Sequence, residues 1–91
     1  MKYFSWSHEK NELLKKERKV SFEEVVLCIE KGKLLDILEH PNPEKYPGQR
    51  IFVINIREYA CLVPFIETED EVMLKTIIPS RKATRKYLRG K

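Results

Sequence analysis

Arg50 to Ile66 reads RIFVINIREYACLVPFI. β-Branched and aromatic residues recur through Arg50–Ile56 and again through Tyr59–Ile66, which predicts two strands. Asn55-Ile56-Arg57-Glu58 supplies the turn between them. Two apolar strands joined so closely must pair antiparallel, because a parallel return needs a long crossover. Pro64 inside the second strand predicts an edge position or a bulge, since proline has no N–H to give to a ladder.

Downstream, Glu67-Thr68-Glu69-Asp70-Glu71 is an acidic turn, and Val72 to Ile78 reads as the last strand, ended by Pro79. Ser80 then caps a short helix from Arg81 to about Leu88, with Ala83, Tyr87 and Leu88 turned inward. Upstream, residues 39–49 (EHPNPEKYPGQ) hold three prolines and a glycine and form a long loop, and Leu34 to Leu38 is a strand. Before it lies the clearest helix. Ser21 and Glu24 make a capping box, and Val20 can staple onto Val25. Phe22, Val25, Val26 and Ile29 share one face, and Gly32 stops the chain. An earlier helix spans residues 8–18, capped by Ser7, with Glu9 in its first turn and Lys15, Lys16 and Arg18 in its last. Leu13 and Leu14 are its inward residues. Tyr3 to Trp6 reads as the first strand. The order β-α-α-β-β-β-β-α predicts an α+β fold, an antiparallel sheet with two N-terminal helices packed on one face and a short C-terminal helix.

The 91 residues suit a single domain, 1–91, with one core. At 42% hydrophobic and 35% charged, the composition is that of a folded domain rather than a disordered one. No apolar run approaches the ~18 residues of a membrane span. No signal-peptide pattern opens the chain, so a cytoplasmic location is expected. Cys28 and Cys61 sit in apolar surroundings, as buried free thiols do; a disulfide or metal site is the alternative. His8 and His40 have no paired spacing with either cysteine, so no metal site is expected. Phosphate-binding glycine loops, HExxH and nucleophile elbows are all absent, and no cofactor is expected.

The net charge of +4 conceals its layout: residues 1–20 carry +3, residues 21–78 carry −5 and residues 79–91 carry +6. The last segment has six cations and no acid. On a helix, Arg81 and Arg85 share one face and Lys82 and Lys86 an adjacent row. Arginine forks match phosphate, and a capped helix start offers free N–H groups to anions. Tyr87 can stack on a base or carry a proton. The alternative is a solvated helix end with Tyr87 in the core. His40, at the mouth of the proline-rich loop, can exchange a proton near neutral pH or simply belong to the loop. Arg50 points either into a cleft or to one of the nearby acids, and Arg57, in the hairpin turn, reads as solvated.

Phe4-x-Trp6-x-x-x-Lys10-Asn11, then Val20-Ser21-Phe22-Glu23-Glu24, then Arg50 opening a strand, then Ile77-Ile78-Pro79-Ser80-Arg81-Lys82-Ala83-Thr84 with a trailing Tyr87 together resemble the BrnT family of toxins. That family belongs to type II toxin–antitoxin systems and is RelE/ParE-like. The likeness runs over essentially the whole chain; Ser80-Arg81-Lys82-Ala83-Thr84 is its most specific piece. The chain departs from the family at Ser7, where an Asp is common, and at Glu17-Arg18-Lys19, where a Lys-His-Gly turn is common.

The resemblance implies a small ribonuclease that cleaves RNA without a metal and inhibits translation. It also implies a cognate antitoxin with a DNA-binding domain, through which the complex reaches promoter DNA. Cleavage would need the developing phosphate charge stabilised, for which Arg81 and Arg85 are the phosphate clamps and Arg50 a third cation. Tyr87 and His40 are the proton-transfer candidates. Lys82, Lys86 and Lys10 would add RNA contacts. The competing expectation is a non-catalytic module whose basic C-terminal helix binds RNA or docks an acidic antitoxin.

Overall fold

The computed structural model describes residues 2–89. Its elements follow in the order β1 (Tyr3–Trp6), α1 (His8–Arg18), α2 (Phe22–Glu30), β2 (Leu34–Glu39), β3 (Gln49–Ile56), β4 (Tyr59–Glu67), β5 (Glu71–Leu74), β6 (Ile78–Pro79) and α3 (Arg81–Leu88). The strands form one sheet in the order β1-β5-β4-β3-β2, with β6 also paired to β4.

The β3–β4 hairpin is its spine, in register from Gln49↔Ile66 to Ile56↔Tyr59. Its connection is two residues, Arg57 and Glu58, both at positive φ (53° and 66°). That is the signature of a type I′ turn, whose twist matches the flanking strands. Neither residue is the Asn or Gly that such turns favour, so neighbours hold the turn in place. Asn55 Oδ1 accepts from Glu58 N at 2.8 Å, and Arg57 donates to Glu24 Oε2 at 2.7 Å and to Lys19 O at 2.8 Å. Arg57 is therefore a strut between the hairpin and α2 and not merely solvated. Glu24, bound to it, leaves the capping box half made: Ser21 Oγ accepts from Glu24 N at 3.2 Å.

Three expectations about the sheet need correction. The sheet is mixed, because β1 runs parallel to β5 (Tyr3↔Glu71 to Trp6↔Leu74). An apolar strand pattern is the same whichever way the strand points, so direction had to come from the path of the chain. The expected strand from Val72 to Ile78 is broken in two. β5 pairs with Phe65–Glu67, whereas β6 pairs Ile78 with Leu62 and Pro79 with Cys61, so Pro79 lies within a strand. The order accordingly gains a strand over the expected β-α-α-β-β-β-β-α. Pro64 sits on a central strand and not at an edge; it lies at the joint where the neighbour of β4 changes from β5 to β6. Its carbonyl accepts from Lys75 N at 2.8 Å on that side, and its missing N–H faces the same gap.

The two sheet faces carry separate apolar clusters. On one, Leu14, Val20, Phe22 and Val25 from the N-terminal helical region pack on Phe52, Ile54, Cys61, Val63 and Phe65. Leu13 points outward at 44% exposure, while Leu14 is at 2%. Asn11 locks α1 to α2: its Oδ1 accepts from Phe22 N and its Nδ2 donates to Glu23 Oε1, each at 2.8 Å. The turn after α2 follows Gly32, at φ +79°, with Lys33 N on Cys28 O and Gly32 N on Ile29 O. On the other face, Val53 and Ala60 meet Ala83, with Leu35, Leu62, Tyr87 and Leu88 around them. Thus α3 covers the face opposite α1 and α2. Cys28 is half-buried and Cys61 buried, and both are free thiols. No helix among the described residues is long and apolar enough to cross a membrane.

Candidate nucleic-acid interface

The segment Ser80-Arg81-Lys82-Ala83-Thr84 divides into residues that the fold requires and residues that it does not. Ser80 caps α3, its Oγ accepting from Ala83 N at 3.0 Å, and its own N donates to Ala60 O at 3.0 Å. Ala83 is small enough to let the helix lie close on Val53 and Ala60. Thr84 is 2% exposed. Its Oγ1 accepts from Ala60 N at 2.9 Å and donates to Ser80 O at 2.7 Å. The threonine hydroxyl is thereby inserted where the β4–β6 ladder would otherwise continue, and it fastens the helix to the sheet.

Arg81 and Lys82 have no such duty. Both are exposed, as are Arg85, Lys86 and Arg89. The ion pairs among the described residues join Lys2 and Arg50 to Glu67, Lys15 to Glu12 and Arg57 to Glu24; none includes a side chain of α3. Lys91, the sixth cation of residues 79–91, lies outside the described residues. Arg85 and Lys86 stand in the last turn, where the helix dipole favours cations, but Arg81 and Lys82 are placed against it. The first turns of α1 and α2 carry Glu9 and Glu23 with Glu24, whereas that of α3 carries no acid and opens on Arg81 and Lys82. Cations at a helix start cost of order 0.3–1 kcal/mol each. The fold gains nothing from them there, but an anion would meet both the side-chain charges and the helix end.

Tyr87 and Lys86 bring a further residue into the site. Tyr87 Oη donates to Asp36 Oδ2 at 2.6 Å, and Lys86 Nζ lies 5.4 Å from the Tyr87 ring centroid. The hydrogen bond from Tyr87, then that from the Ile37 backbone, holds the Asp36 carboxyl below its usual value; the field of Lys86 acts in the same direction. The same bond pushes the Tyr87 phenol up. Tyr87 is thus a held, protonated phenol rather than a ready base. Asp36 was not picked out from sequence, although an acid within Leu34-Leu35-Asp36-Ile37-Leu38 needs a partner, and that is a usable signal.

The remaining candidates lie elsewhere. Arg50 is on the α1/α2 face, paired with Glu67 and with its guanidinium 5.2 Å from the Phe65 ring centroid. Glu67 also accepts from Lys2 at 2.6 Å, and this bond does most to hold its carboxyl down. His40 organises the proline-rich loop: its Nδ1 accepts from Asn42 N at 3.0 Å, and its ring lies 4.3 Å from that of Tyr46. It is four residues beyond Asp36, or ~13 Å along an extended chain. Lys10 sits in the first turn of α1, in the other layer. The structure therefore gathers Arg81, Lys82, Arg85, Lys86 and Tyr87 with Asp36, and leaves Arg50, His40 and Lys10 apart. Among the described residues no three of His, Cys, Asp and Glu gather as a metal-binding group. Comparison of the chain with models of protein families, with curated proteins and with solved structures finds no match.

Proposed function

We propose that this chain is a BrnT-like toxin of a type II toxin–antitoxin system, RelE/ParE-like in fold, that cleaves RNA without a metal and so inhibits translation. The observation that carries this reading is α3, a helix fastened to the sheet by Ser80 and Thr84 that presents exposed cations at its positive end. Arg81 and Arg85 hold the phosphate under attack, and Lys82 and Lys86 hold its neighbours. Tyr87, whose proton is held, suits donation to the departing 5′-oxygen better than abstraction from the 2′-hydroxyl. The cognate antitoxin covers the same cations with an acidic segment, and its DNA-binding domain carries the complex to promoter DNA. The site of action is the cytoplasm.

One observation favours a second reading. The phenol of Tyr87 is tied to Asp36, the Asp36 carboxyl is held below its usual value by that bond, and His40 lies well away, so α3 has only a weak base beside it. A non-catalytic module would hold RNA, or an acidic antitoxin, on the same surface. Incubating purified protein with RNA in EDTA separates the two. Cleavage that persists, and falls about a hundredfold in Arg81→Ala or Arg85→Ala, supports the enzyme. Binding without cleavage, weakening steeply with salt, supports the module. Protein that neither binds nor cuts RNA rules out the enzyme and an RNA-holding module, and leaves α3 as an antitoxin-docking surface alone.

A further inference from the structure

Behind the first cations of α3 lies a small cleft of about 200 Å³. It is lined by Arg18, Arg57, Tyr59 and Pro79 together with Val20, Ile56 and Cys61. It is smaller than the ~300 Å³ at which drug-sized pockets begin. A single planar ring system is the scale that fits. Its lining combines apolar side chains with one tyrosine and two arginines, the residue types on which nucleobases stack.

Both guanidiniums are held in place. Arg18 Nη1 donates to Ile77 O at 2.7 Å, and Arg57 is fixed by Glu24 and Lys19 O at 2.7 and 2.8 Å. A guanidinium has more donors than these bonds use, so each keeps N–H groups for the edge of a base. Tyr59 follows the I′ turn directly, and the turn holds two non-glycine residues at positive φ. Backbone held in this region without glycine is found preferentially at binding sites. Here the turn brings both Arg57 and Tyr59 to the lining of one concavity.

The cleft also adjoins the phosphate-binding surface. Pro79 lines it, and Arg81 follows two residues later, a span of at most ~7 Å. Pro79 shares a face with its partner Cys61, on the α1/α2 side, whereas α3 covers the other. A strand held on α3 reaches the cleft by turning round β6, which is only two residues long.

We infer that this cleft is a nucleobase subsite: it takes one unstacked base of a single-stranded RNA whose phosphates lie on Arg81 and Lys82. The inference rests on the RNA reading of α3 and deepens it, since a base pocket beside a phosphate clamp gives sequence or positional preference to contacts that have none alone.

The test uses the whole chain and labelled single-stranded 2′-O-methyl RNA, which cannot be cut through its 2′-oxygen, with one abasic site moved along the strand. Anisotropy gives the affinities. One abasic position should weaken binding about tenfold, the loss expected for one stacked base. Tyr59→Leu, which keeps apolar bulk, should bind every strand equally, and Tyr59→Phe should keep the abasic penalty. Arg81→Ala with Arg85→Ala should weaken all strands alike. Intact and abasic strands that bind equally to the parent protein overturn the subsite while leaving the RNA reading standing, as does a penalty that survives in Tyr59→Leu. A parent protein that binds no strand overturns the RNA reading, and the subsite with it.

Discussion

Replacing Thr84 by valine keeps the shape of the side chain and removes one oxygen. Two groups now use that oxygen: Ala60 N, 2.9 Å away, and Ser80 O, 2.7 Å away. Their fates differ. Ser80 O keeps the helical bond from Thr84 N at 3.0 Å, so it does not become an orphan. Ala60 is fully buried, and its N–H loses its acceptor. A buried unsatisfied donor costs ~1–3 kcal/mol, so the expected loss is about 2 kcal/mol. For a domain of this size 1 kcal/mol corresponds to ~4–8 °C, which places Tm about 8–16 °C lower. Urea unfolding followed by circular dichroism measures the difference, and amide exchange at Ala60 should accelerate by a similar free energy. Thr84→Ser retains the hydroxyl and should lose less than ~1 kcal/mol, as deleting a single methyl does. A Thr84→Val protein within 0.5 kcal/mol of the parent would refute the inserted hydroxyl as the fastening of α3.

Glu58 sits at φ 66° in the I′ turn, where glycine is free of strain, so Glu58→Gly should stabilise the protein by about 0.5–1 kcal/mol in the same urea assay. Asp36 and Tyr87 give a pH signature at both ends of the scale. The Asp36 carboxyl is lowered, so the stability of its bond is present above ~4 and fades as pH falls through the lowered value. The Tyr87 phenol is raised, so the same bond persists below ~10 and is lost as pH rises through the raised value. In Asp36→Asn a phenolate absorbance titration should find one tyrosine returning toward its ordinary value, and an unchanged curve would break the assignment. The acid limb should shrink without vanishing, because Glu23, bonded by Asn11, and Glu67, bonded by Lys2, are lowered in the same direction.

Helix starts were legible because their chemistry is local. Ser7, Ser21 and Ser80 each cap as their spacing predicts, accepting from Lys10 N, Glu24 N and Ala83 N. The Val20-to-Ile29 face and the Gly32 stop need only neighbours within a turn or two of the helix. The two strands of Arg50 to Ile66 carry their own pairing, because a two-residue connection leaves no other geometry. The basic face of α3 follows from helical spacing alone.

What the sequence left open depends on groups far apart in the chain. Whether β1 pairs at all, and in which direction, is decided by β5, more than sixty residues on. The Tyr87–Asp36 bond spans 51 residues, and the Thr84–Ala60 bond 24. Arg50, Arg57 and Arg85 are the same residue type, and only the fold gives the first to Glu67, the second to Glu24 and the third to solvent. Residue type and spacing determined which segments became helices and strands and where positive charge would collect, because hydrogen-bond caps and apolar periodicity act over a few residues. Tertiary structure decided which of those charges stand free, because whether a cation is neutralised or available depends on which distant carboxylate the sheet carries to its side.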